Sequence, residues 1–140
     1  MNPRPVMLER VAGPAYWLLL AAALWILLRG HNAPGGGFIA ALVALAATAL
    51  VAIVHGSGAA RRRLPLEPVS LAAGGVLLAL ASGLAGAAAG GAFLTHLWWT
   101  LPGTPVKLST VLAFDLGVFA AVWGALSAYL LALLDEGERR

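Results

Sequence analysis

Four long apolar runs, joined by short polar connections, decide most of what this chain can become. The first, Val11–Leu28, carries no charge; the second is Gly37–Val54 and the third Val69–Phe93. The fourth, Ser109–Leu134, is interrupted by one ionisable residue, Asp115. A helix needs ~20 apolar residues to cross a ~30 Å hydrocarbon core, and each run is of that order. Hydrophobic residues make up 61% of the chain and charged residues 11%, against roughly 45–50% and about 25% in soluble domains. Little is left to build anything outside a bilayer. The expectation is an all-α membrane protein forming one unit over residues 1–140, with four transmembrane helices near 11–28, 37–55, 69–93 and 109–134.

The first run follows Arg4 and Arg10, as a secretory signal would, but it is long for a signal core. Arg29 follows it rather than a small-residue cleavage site, so an uncleaved first helix is expected, beginning near Leu8 or Val11 with Pro14 in its first turn. There is no cysteine, which excludes disulfides and thiol metal sites.

Basic residues set the orientation. Arg4, Arg10, Arg61, Arg62, Arg63, Arg139 and Arg140 fall on one side of such a four-span chain, and Arg29 and Lys107 on the other. By the positive-inside rule both the N- and C-termini are cytoplasmic. The formal net charge of +3 is then a topology signal that also favours anionic headgroups, with no nucleic-acid partner implied. The acidic and basic tail from Asp135 to Arg140 reads as a solvated helix end. Trp17, Trp25, Trp98, Trp99, Tyr16 and Tyr129 fall near the ends of the runs, where amphipathic rings anchor a helix at the interface.

Small residues recur at helical spacing in the third run (Gly75, Ala79, Gly83, Gly86, Gly90) and in the second (Gly37, Ala41, Ala44, Thr48). Such stripes let membrane helices approach closely. In the fourth run Gly117, Ala121, Gly124 and Ala128 form a stripe, and Asp115 lies on the opposite face with Phe119 and Val122. Both faces ask for protein or water rather than lipid. Four helices alone would struggle to cover both, which points to work inside a larger complex.

Asp115 is the first candidate for chemistry. An intramembrane carboxylate costs at least ~2.5 kcal/mol at a helix centre and faces a partner or an ion path. Counted from Ser109 it lies about 9 Å below the outer end of its helix. Lys107 is the second, at the outer end of the same run; its eight-residue offset, about 12 Å of rise, argues against pairing directly with Asp115. Pairing of Asp115 with Arg29 or His31 across the outer face stays open. His31, His55 and His96 do not form a metal set.

The third candidate is His31-Asn32-Ala33-Pro34-Gly35-Gly36-Gly37-Phe38. It lacks the Gly-Lys-Ser/Thr ending of a phosphate loop and the strand of a dinucleotide fingerprint. Its glycines lead straight into the free N–H groups at the start of the second helix. Bare backbone there admits another helix, a headgroup, water or an anion, with Phe38 as an apolar plug.

Arg29-Gly30-His31-Asn32-Ala33-Pro34-Gly35-Gly36-Gly37-Phe38-Ile39 resembles the signature of the MnhB/MrpB family, the small B-type component of Mrp-type multisubunit Na+/H+ antiporters. Lys107-Leu108-Ser109-Thr110, followed by Phe114-Asp115-Leu116-Gly117-Val118, is similar to the motif opening that component's last helix. The resemblance implies a non-enzymatic, cofactor-free member of a prokaryotic cell-membrane antiporter complex that exchanges Na+ for H+. Its partners would include large complex-I-like antiporter subunits. Pro34, Gly35, Gly36, Gly37, Phe38, Lys107 and Asp115 are carried over as residues of transport or assembly. Independently, one intramembrane carboxylate, no intramembrane lysine and no broken span leave this chain without a proton relay of its own. Two other functions stand beside this one: a related small component of a membrane-bound hydrogenase-type ion-pumping complex, and a purely structural scaffold.

Overall fold

The computed structural model describes residues 6–30, 35–100, 102–103 and 107–138, with backbone alone at 107, 108 and 138. Its elements are α1 (Val6–Arg29), α2 (Gly37–His55), α3 (Ser57–Arg63), α4 (Pro68–Ala88), β1 (Trp98–Thr100), β2 (Lys107–Ser109) and α5 (Thr110–Glu138). Among the described residues four helices are long and apolar enough to cross a membrane. The expected four-span, predominantly helical architecture is therefore present.

Several boundaries differ from expectation. α1 begins at Val6, so Pro14 sits inside the helix, not in its first turn. Proline is tolerated within a membrane helix because neighbouring groups re-satisfy the backbone it frees. The arginine connection is itself helical: Gly56, at φ 89°, breaks the chain between α2 and α3, a backbone setting that suits glycine. Glu67 then caps α4, its carboxylate accepting from Val69 N at 3.0 Å and Ser70 N at 3.3 Å, with Pro68 at the first helical position where a missing N–H does no harm.

The third run does not stay helical to Phe93. α4 ends at Ala88, Gly90 takes φ 86°, and the chain folds back so that Leu94 N donates to Gly83 O at 3.2 Å. The outer half of the small-residue stripe thus receives this returning segment rather than a helix. A Cβ on Gly83 would run into the Phe93 ring, and one on Gly86 into the Thr95 backbone. After the fold-back, β1 and β2 form an antiparallel ribbon pairing Trp98 with Ser109 and Thr100 with Lys107. The residues expected to lead into the last helix are strand instead. Thr110 fixes the junction: its N–H donates to Leu97 O and its Oγ1 accepts from Leu97 N, both at 3.1 Å.

α2 is the central helix. Ala40, Ala41, Ala44, Ala47 and Val51 are fully buried along it, and it packs against both α1 and α5. α5 in turn lies between α2 and α4. On its α4 side Gly75, Gly117 and Gly124 bring the two backbones together: a Cβ on Gly117 would meet Ala79 N at 2.6 Å and Gly75 O at 2.8 Å. On its other side Phe119 and Trp123 are buried, and Gly37 of α2 reaches the α5 backbone at Asp115 and Phe119. The glycine stripe of α5 is covered by α4, and Phe119 and Trp123 of its other face pack on α2, while Asp115 and Val122 of that same face stay half-buried. Lipid tails are as apolar as these side chains, so the helices are held by dispersion and by the close approach that small residues allow.

Two aromatic placements also differ. Tyr16 is 1% exposed; it is a buried ring whose hydroxyl donates to Arg63 O at 2.9 Å, not an interfacial anchor. Tyr129, Trp17, Trp25, Trp98 and Trp99 are all exposed, in keeping with that role. At the α3 end, Arg61 Nη2 meets Asp135 Oδ2 at 3.0 Å and Arg61 Nη1 lies 3.9 Å from Glu67 Oε1. The acidic tail is therefore tied to the arginine helix rather than simply solvated.

Candidate functional site

The two motifs singled out by sequence meet at one end of the helical unit. The end of α1 and the start of α2 lie so close that a Cβ on Gly30 would strike Gly36, and one on Gly35 would sit 2.8 Å from Ile26 O. Gly36 N donates back to Ile26 O at 3.5 Å. Gly36 itself holds φ 108° and ψ 179°, a region essentially reserved for glycine. It delivers Gly37 directly against α5, where a Cβ would overlap the Asp115 carbonyl and come within 3.1 Å of Phe119 N.

Asp115 is the sixth residue of α5, about 8 Å of rise along it, and this places it level with the first residue of α2. Its Oδ2 lies 3.8 Å from the position a Gly36 Cβ would take. The carboxylate, half-buried, therefore faces bare backbone at the start of α2, where unpaired N–H groups and the positive end of the helix dipole are found. Among the described residues no ion pair reaches it: Arg29 lines a crevice with Trp25 and Leu28, and the ion pairs of Arg61 are at the far end. Such a carboxylate can take a proton, a cation, or the positive group of a neighbouring protein.

Gly36 and Gly37 are thus brought against Asp115, while Gly35 packs on the end of α1 at Ile26 and Gly30. Phe38 is not a plug within this chain; it is 56% exposed and points away from the packed interface. Lys107 lies in β2, its backbone paired to Thr100. Pro34 and His31 lie outside the described residues.

One polar contact is not anticipated by the sequence motifs. Trp123 is 4% exposed, and its Nε1–H donates to Thr48 Oγ1 at 2.9 Å, while Thr48 donates to Ala44 O at 3.1 Å. A signal for it exists: a tryptophan mid-span, far from either interface, needs a partner for its N–H.

Four spans, with close-packed glycines before α2 facing a carboxylate on α5, define a small polytopic membrane protein. Residues 7–128 match the family described as a domain related to the MnhB subunit of Na+/H+ antiporter, and the chain belongs to that family. It is 32% identical to the B-type Na+/H+ antiporter subunit of Bacillus subtilis (strain 168), over 86% of each chain. It is 33% identical to the probable K+/H+ antiporter A/B-type subunit of Rhizobium meliloti (strain 1021), over 96% of this chain and 14% of that one. Its structure matches a chain of the Mrp complex from Dietzia sp. DQ12-45-1b with a TM-score of 0.80 and 39% identity, over 92% of this chain. There too it spans 14% of the longer chain.

Proposed function

We propose that this chain is the B-type component of a multisubunit monovalent cation/proton antiporter in a prokaryotic plasma membrane. The observation that carries the reading is the 39% identity and TM-score of 0.80 with a chain of the Mrp complex. The unit sits beside the A-type component, a placement supported by the relative whose name joins A and B, in which the matching segment is 14% of one long chain. Both termini and α3 face the cytoplasm, on the strength of the arginine bias, and the glycine turn and Asp115 face outward. Catalysis is no part of its role.

Asp115, with Gly36 and Gly37 against it, forms a polar waypoint at the outer end; Gly35, Phe38, Lys107 and Pro34, the last outside the described residues, are proposed to serve transport or assembly with it. The test is Asp115→Ala and Asp115→Asn in the whole complex, reading Na+- and K+-dependent proton flux in membrane vesicles alongside co-purification of the other components. The expected result is an assembled complex with severalfold lower flux. Full flux with normal assembly would remove Asp115 from the ion path. The names of the relatives favour two cations, sodium in one and potassium in another, so the same vesicles compare both.

A further inference from the structure

Among the described residues no hydrogen bond or ion pair holds the Asp115 carboxylate. Its place over Gly36 is therefore set by the helix that carries it. That helix belongs to a different half of the unit. α1 packs on α2 and α4 on α5, so the two halves meet where α2 lies against α5. The close approach of Asp115 to Gly36 straddles this joint.

What holds the joint lies on one face of α5. Asp115, Phe119 and Trp123 follow one another at four-residue steps, so they share that face. Gly37 sits against the backbone of the first two. Phe119 and Trp123 are buried, with ring centres 5.4 Å apart. Apolar contact resists separation but tolerates sliding and rotation, whereas a hydrogen bond weakens steeply once its angle is lost. The 2.9 Å bond from Trp123 Nε1–H to Thr48 Oγ1 supplies that direction. Thr48 does not swivel freely, because its own hydroxyl proton is committed to Ala44 O. Trp123 stands eight residues from Asp115 on one continuous helix, about 12 Å of rise, so a shift at one is carried to the other. We infer that Thr48 and Trp123 are positioning residues: their bond sets the register of α5 on α2 and thereby holds Asp115 over the bare backbone of Gly36. The consequence for transport rests on the reading of Asp115 as a polar waypoint; the consequence for the carboxylate does not.

The test uses the whole complex in membrane vesicles. A hydrophobic carbodiimide labels Asp115, and mass spectrometry of the peptide that carries it gives the labelling rate. Cation-dependent proton flux in the same vesicles gives an apparent KM and a maximal rate. Trp123→Phe removes the donor and Thr48→Val the acceptor, while Thr48→Ser keeps the acceptor. Tyr16→Phe removes a hydrogen bond between α1 and α3 and controls for lost stability. With the Trp123–Thr48 bond gone, Asp115 slips from Gly36 and is labelled about threefold faster, the population change that losing one interhelical hydrogen bond brings. The apparent KM for the cation should rise by a similar factor, with the maximal rate falling less. Thr48→Ser and Tyr16→Phe should be labelled at the native rate. If Trp123→Phe or Thr48→Val fails to assemble, the other decides. Native labelling in the assembled variants overturns the inference, as does equal acceleration in Tyr16→Phe. Faster labelling in these variants, with full flux in Asp115→Asn, leaves the positioning role standing and removes Asp115 from the ion path.

Discussion

Trp123 and Thr48 lie 75 positions apart and meet at 2.9 Å inside the unit, indole N–H to hydroxyl oxygen. Because Thr48 passes a second hydrogen bond to Ala44 O, the pair ties α5 to the backbone of the central helix. It fixes both the rotation and the height of α5 against α2. Trp123→Phe keeps most of the ring volume and removes the donor. It should cost about 0.6–1.7 kcal/mol, the range found for hydrogen bonds between membrane helices. Thr48→Val should cost a similar amount, and the double variant little more than either, with thermal unfolding in detergent as the measurement. Full additivity would show that the bond contributes nothing.

Gly74 and Gly75 are adjacent on α4 but unequal. A Cβ on Gly74 has nothing within 4 Å, whereas one on Gly75 would overlap Gly117 and Ala121 of α5. Gly75→Ala should therefore destabilise by about 1–3 kcal/mol, the usual cost of overpacking. Gly74→Ala should be neutral or slightly stabilising, since alanine has the higher helix propensity. The comparison is made on the purified chain by melting temperature and by its incorporation into the complex.

Gly36 separates backbone strain from crowding. Its missing Cβ would lie at an ordinary 3.8 Å from Asp115 Oδ2, so space is not the obstacle. The obstacle is φ 108° with ψ 179°, which costs a side-chain-bearing residue on the order of 1–3 kcal/mol. Gly36→Ala should loosen the α1–α2 turn and lower the melting temperature while leaving the helix content unchanged by circular dichroism.

Arg61 links α4 and α5 through partly exposed pairs, so Arg61→Gln should cost no more than about 1 kcal/mol. Its effect should shrink as salt is raised. Arg61→Asp, facing Asp135 and Glu67, should be worse than Arg61→Gln at low salt and converge with it at high salt. Melting curves at two ionic strengths check this.

The spans are legible in the sequence because apolar length alone demands a helix in lipid; their ends are not. Gly90 reads as one more step of a packing stripe, yet just past the end of α4 it turns the chain so that Phe93 covers Gly83. The ribbon of Trp98–Thr100 with Lys107–Ser109 depends on pairing across a loop, which no local period announces. For the site, the position of Asp115 near the start of its helix and the glycine demand are readable, but their meeting depends on how α2 and α5 align. Tyr16 defeats a local reading because an aromatic near a helix end looks the same whether it faces headgroups or a neighbouring backbone. Arg63, which decides that question, is 47 positions away.

The parity of the fold has a consequence for how such a unit is used. Four spans return the chain to the side from which it started, so the unit is topologically silent: joined to a longer membrane chain, it inverts nothing on either side of the join. A domain with an odd number of crossings would force its neighbours to reverse or to gain a span. Such parity is compatible with a match that spans 86% of the Bacillus subtilis relative and only 14% of the far longer Rhizobium meliloti one.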